Sequence, residues 1–184
     1  MGSLSLLRAG ALVKSGDARM ITIRRIRLGE ADLYKQVRLA ALREAPYAFT
    51  TTYESAVRRP PESWQEQADS TAQGADRATF IAFSEDAPIG MTALYRLADQ
   101  ADVGEVLQVW VAPEYRGKGV AQELMDTLFR WAGENHFRTL IAGVAKANAR
   151  ALKFYLRGGF ALADEASQGG SEGVVLVRPV EAEP

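Results

Sequence analysis

The chain has 184 residues, enough for a domain with a sizeable core, and its 22 Lys+Arg against 23 Asp+Glu leave a formal net charge of -1. That balance offers no field to hold a nucleic acid or an anionic membrane, so neither is expected as a partner and any basic site must be local. Cys is absent and His136 is the single His, which excludes disulfides, thiolate chemistry and multi-histidine metal sites; no metal is expected.

Residues 1–19 are mildly apolar but interrupted by Arg8 and Lys14, and lack the basic start and long apolar stretch of a secretory signal. Leu6 stands where a myristoylation motif needs Ser or Thr. No apolar run approaches the roughly 18 residues of a membrane helix. The expectation is a disordered leader over 1–19, a single domain over 20–184, and a cytoplasmic location.

Ile21 to Arg27 alternates apolar and polar residues, as a half-buried strand does. Glu30 to Glu44 places Leu33, Val37, Ala40 and Ala41 on one helical face, and Ala45-Pro46 ends it. Tyr47 to Arg59 has no clear period and reads as a loop. Pro60-Pro61 opens a second helix to about Thr71. Strands are expected over Ala78 to Phe83, Ala87 to Leu97 and Val103 to Val111, with a polar turn over Asp99 to Asp102. The last strand is almost continuously apolar, which suits the middle of a sheet covered on both faces. Val120 to Gly133 carries a stripe of Val120, Leu124, Leu128 and Trp131, the strongest helical pattern in the chain. Thr139 to Val144 is a further strand. Asn148 is placed to cap a helix that runs to about Leu156 and stops at Gly158-Gly159. Phe160 to Ala163 and Val174 to Val177 are final strands joined by a loop over Ser167 to Gly173.

Between the strand ending at Val111 and the helix starting at Val120 lies Arg116-Gly117-Lys118-Gly119-Val120-Ala121. Glycines leave backbone N–H groups unobstructed and permit left-handed angles, and the following helix adds its positive end. By itself the turn supports an anion site at a helix start; a solvated basic cap is the alternative. It fits neither the P-loop spacing nor the Gly-x-Gly-x-x-Gly dinucleotide spacing.

The turn resembles motif A of the GNAT superfamily of N-acetyltransferases, with Arg116, Gly119 and Ala121 in its specified positions. Asn148-Ala149-Arg150-Ala151-Leu152-Lys153-Phe154-Tyr155-Leu156-Arg157-Gly158-Gly159-Phe160 is similar to motif B of that family at every specified position. The resemblance covers about Ile21 to Val177, with specific motifs only over Glu105 to Phe160. It implies a mixed α+β fold, a mostly antiparallel sheet of about seven strands flanked by about four helices, splayed open between the strands before the two motifs. It also implies acetyl-CoA as acetyl donor, a small-molecule or protein amine as acceptor, and a possible homodimer.

The resemblance further implies residue roles. Val109 and Val111 would offer backbone groups to the pantetheine arm, with Trp110 between them; its apolar setting also suits the core. Arg116, Gly117, Lys118, Gly119, Val120, Ala121 and Gln122 would form the pyrophosphate loop. Asn148 would add a hydrogen bond while capping its helix. Tyr155 would protonate the departing thiolate, or else be a packed aromatic. Glu105 is the candidate general base, because an alkyl ammonium of pKa about 10.4 must lose a proton before attack; an exposed carboxylate at a strand end is the alternative. Some members carry a glutamate on the strand before motif B, where this chain has Gly143. Tyr47, Phe49 and Tyr53 are expected to border the acceptor pocket. A non-catalytic acyl-CoA-binding module and a transferase of another acyl group are the competing readings.

Overall fold

A computed structural model describes residues 11–14, for their backbone, and 20–164 and 173–181 in full. Its strands are β1 (Ala11–Lys14), β2 (Met20–Arg25), β3 (Arg77–Ser84), β4 (Ala87–Leu97), β5 (Gln100–Val111), β6 (Thr139–Ala145), β7 (Ala161–Leu162) and β8 (Gly173–Pro179). Its helices are α1 (Ala31–Glu44), α2 (Tyr53–Val57), α3 (Pro61–Ala72), α4 (Val120–Glu134) and α5 (Ala149–Arg157). The strands form one sheet in the order β1-β2-β3-β4-β5-β6-β8-β7. All neighbours are antiparallel except β5 and β6, which are parallel. The expected mixed, mostly antiparallel architecture is therefore present.

Two apolar clusters sandwich the sheet. Ala78, Phe80, Leu94, Val106 and Leu140 face α4 and Tyr155 of α5. Ile81, Phe83, Met91 and Trp110 face α1 and α3 through Tyr34, Val37, Ala41, Leu42, Trp64 and Ala68. Strand alternation decides the partition: consecutive residues of β3 enter opposite clusters. The stripe expected on α4 is buried at Val120, Leu124 and Leu128, while Trp131 is half-buried and packs edge-on against Phe80. The start of α1 is pinned to β2 by a bidentate pair between Arg24 and Glu30, both contacts 2.8 Å long.

Three expectations need correction. Ala11–Lys14, within the expected leader, pairs with Met20–Ile23 of β2 as an edge strand; residues 1–10 and 15–19 lie outside the described residues. An open edge of β2 presents unpaired backbone groups that such a segment satisfies. The region 47–59 is not all loop, since α2 forms where the Thr52 hydroxyl accepts from the Ser55 N–H at 3.1 Å. Five residues are too few to show a period; with α2 the described residues hold five α-helices, in keeping with the expected about four. The third is β5, which starts at Gln100, inside the expected polar turn. Of the expected loop over Ser167 to Gly173, residues 167–172 lie outside the described residues and Gly173 begins β8.

Gly90 of β4 holds the sheet tight where it matters for the site. A Cβ there would stand 2.9 Å from the backbone oxygen of Trp110 and 3.2 Å from Leu124 of α4. A backbone atom cannot step aside as a side chain can. Gly90→Ala is expected to lower stability by about 1–3 kcal/mol, read as a lower urea midpoint with an unchanged slope.

Candidate functional site

The parallel pairing of β5 and β6 lasts three residues, Val103–Glu105 against Thr139–Ile141. Beyond it β5 continues along β4 to Gly90, while β6 continues along β8 to Gly173. The sheet forks there, and both glycine-bearing motifs follow the two arms. A bulge sits on the β5 arm: Met91 pairs with Trp110 and Ala93 with Leu107, so β5 has one residue more than β4. Gln108 takes the left-handed angle this requires, with φ 58. The Tyr34 hydroxyl donates to Gln108 Oε1 at 3.1 Å and holds the bulge to α1.

Past the bulge, the Ala112 N–H donates to the Ile89 carbonyl at 2.8 Å. That makes Gly90–Val111 a non-hydrogen-bonded pair, so the N–H and C=O of Val111 turn away from β4, towards the fork. Arg116 Nε takes that carbonyl at 2.9 Å. The N–H of Val111 faces the fork. Val109 packs against the α4-side cluster.

The turn before α4 has the backbone that its glycines foreshadow. Gly117 and Gly119 are left-handed, with φ 73 and φ 84, and no atom approaches within 4 Å of a Cβ built on either. Gly119 is the N-cap of α4 and supplies no side-chain acceptor, so the first N–H groups of the helix, Val120 to Gln122, are left for an outside anion. The residues fit a pyrophosphate. The Val120 side chain is buried in the core, so only its backbone is open to a ligand. The Gln122 side-chain amide donates to Asp126 at 2.8 Å. Lys118 lies 5.5 Å over the Tyr115 ring.

Two residues expected at the cofactor do other work. The Arg116 guanidinium folds back onto Glu44, bonding both carboxylate oxygens, and so ties the turn to the end of α1. Trp110 points to the α1 side and donates its indole N–H to Glu44 at 3.0 Å. It is a core residue with a polar handle, and its backbone pairs with Met91 of β4. Glu44 escaped the sequence reading, although an acid in the last turn of a helix, against the dipole, was a usable signal. The Arg116 bond holds its carboxyl below the usual range, helped by Trp110, and Arg150 acts on it from the start of α5. Arg150 is thus a further cation near the fork.

Asn148 caps α5, accepting from the Ala151 N–H at 3.1 Å, which leaves its amide NH2 group for a ligand. Tyr155 is 7% exposed and packs edge-on against Phe154 and Phe160, with centroids 5.5 Å and 5.1 Å away. Burial pushes its phenol above the ordinary value, so it is protonated throughout the neutral range. Glu105 is half-buried and lies on the other face of the sheet: its neighbour Val106 shares the cluster of Tyr155, and its cross-strand partner Tyr95 accepts from Gln67 of α3 at 3.2 Å. Tyr155 and Glu105 therefore stand on opposite sides of the fork. Gly143 is exposed, with no atom within 4 Å of a Cβ.

Among the described residues no helix is long and apolar enough to cross a membrane, and no group of three or more His, Asp or Glu could hold a metal ion. The sheet thus forks beside a helix start without a side-chain cap, with the buried Tyr155 on its α5 side. The model of the Acetyltransferase (GNAT) family matches residues 42–160, and the chain belongs to that family.

An uncharacterized N-acetyltransferase of Archaeoglobus fulgidus is 31% identical over 64 residues, which is 35% of this chain and 44% of that relative, so the match spans less than half of its length. The GNAT domain of S. lividans PAT superposes with a TM-score of 0.75 at 21% identity, over 96% of this chain and 99% of that one. The PaiA N-acetyltransferase of Thermoplasma acidophilum, solved in complex with coenzyme A, superposes with a TM-score of 0.71 at 18% identity, over 86% and 98%. At these identities the two structures speak for the fold.

The depressed Glu44 carboxyl sets a pH dependence. A group lowered in the folded state stabilises above its unfolded value, about 4.5, and loses that contribution as pH falls through its folded value. Glu44→Gln is expected to melt below the parent at pH 7, with the difference closing as pH drops below about 4.5; thermal melts across that range measure it.

Proposed function

We propose that this protein transfers an acetyl group from acetyl-CoA to a primary amine by direct attack within a ternary complex. The observation that carries this reading is the fork between β5 and β6, which opens beside an α4 N-terminus with left-handed glycines and no side-chain cap. Acetyl-CoA supplies a thioester, whose carbonyl carbon is the electrophile. The backbone N–H groups of Gly117 to Gln122 and the cations Lys118 and Arg150 hold its pyrophosphate. The backbones of Val109 and Val111 and the amide of Asn148 align the pantetheine. The Val111 N–H is the donor for charge developing on the carbonyl oxygen.

Acid and base divide between the two faces of the sheet. Glu105, on the α1–α3 side, takes a proton from the ammonium, directly or through water. Tyr155, on the α4–α5 side, gives a proton to the sulfur. The burial that keeps Tyr155 protonated also weakens it as an acid. The same apolar surroundings raise the basicity of a thiolate, so the two pKa values, about 10 and 8.5 in water, move together. The arrangement suits approach from one face and departure from the other.

Thiol release from acetyl-CoA against a broad amine panel tests the reading. Release dependent on an amine supports it; CoA binding without release for any amine supports a binding module instead. Tyr155→Phe is expected to lower kcat by about 10-fold or more with unchanged CoA affinity, measured by stopped assay and calorimetry. Glu105→Gln is expected to remove the acidic limb of the pH–rate profile, and an unaltered profile would exclude it as the base.

A further inference from the structure

Arg38 of α1 is 7% exposed, yet its Nη1 is buried with no hydrogen-bond partner. Phe49 lies over its guanidinium at 4.4 Å. The titratable groups that act on it are Tyr34, Tyr95 and Arg59, and none is a carboxylate. Arg59 is itself a cation, stacked 4.2 Å over Trp64 and tied to Ser63. Partly buried arginines of the chain differ: Arg24 and Arg116 are met by carboxylates, and Arg25 by four backbone carbonyls. A buried cation without an anion is unfavourable unless a ligand supplies one.

Its position says which ligand. Tyr95, which Arg38 senses, is the cross-strand partner of Glu105, and Tyr34, one helical turn before Arg38, holds the Gln108 bulge. The unpartnered guanidinium thus belongs to the same side of the fork as the proposed base. A guanidinium and a carboxylate on one side match a molecule that carries both a carboxylate and an ammonium. A planar carboxylate also fits the guanidinium fork geometrically. We infer that the acceptor is a small amine bearing a carboxylate, such as an amino acid, with Arg38 binding the carboxylate and Phe49 covering it. This rests on the transferase reading above and names its substrate class.

The test compares amino acids with their own amides, for example alanine with alaninamide and β-alanine with β-alaninamide, by thiol release with acetyl-CoA. The acid is expected to exceed its amide in kcat/KM by about 10- to 100-fold, the discrimination one charge-assisted contact provides. Arg38→Gln is expected to erase that ratio through KM for the amine, with KM for acetyl-CoA unchanged. Arg38→Lys, which keeps the charge and loses the fork, should retain part of it. Equal use of acid and amide by the parent, or a ratio that survives Arg38→Gln, overturns the inference while leaving the transferase reading intact.

Calorimetry separates the opposite failure. If no amine releases thiol, the transferase reading fails, and Arg38-dependent binding of an amino acid to the CoA-loaded protein still supports the carboxylate site; no binding overturns it. Thermal melts check the variants: Arg38→Gln should match or exceed the parent in Tm, since it removes a buried charge that has no partner. A steep loss of Tm would show that Arg38 serves the fold and overturn the proposal.

Discussion

Parallel strands β5 and β6 hold together for three residues and then part. Everything at the site depends on that parting. Each arm keeps its hydrogen bonds with its outer neighbour, β4 or β8, so the fork leaves both hairpin-like halves of the sheet intact. The backbone groups of β5 and β6 that face the fork lose each other as partners there, and on β5 they include the bulge at Gln108 and the turned Val111. In a sheet buried on both faces, such an edge invites an extended ligand to complete it.

Charge is distributed around the fork in two contrasting ways. At the turn before α4, Arg116 is fully used by Glu44 and the Val111 carbonyl, and its task is to fasten a loop that glycines leave without internal restraint. The proposed anion site then relies on backbone N–H groups and the exposed cations Lys118 and Arg150. At α1 the opposite holds: Arg38 is buried and unmatched. One arginine is spent on structure and the other is kept for a ligand, although both sit on or against the same helix.

The local pattern of the chain was legible to the extent that each element could be read from its own residues. The stripe on α4, the Asn148 cap and the alternation of the strands all depend on neighbours within a turn or two. Short elements, too brief to show a period, were not legible. α2 rests on one Thr52 hydroxyl, and β1 on the open edge of β2. Trp110 reads as apolar and packs as such, but its indole N–H has a carboxylate partner 66 residues away, which no local pattern shows.

By itself, the sequence pointed to the family, the order of the longer elements and the glycine turn before α4, because glycines at a helix start and a capped, aromatic-bearing helix are written in adjacent residues. Only the tertiary structure decided which charges are free. It engaged Arg116 with Glu44, left Arg38 without an anion, and set Glu105 and Tyr155 on opposite faces of one sheet. The reason is physical: whether a charged side chain has a partner depends on groups that converge from distant elements, and composition near neutrality conceals a guanidinium that the fold has buried alone.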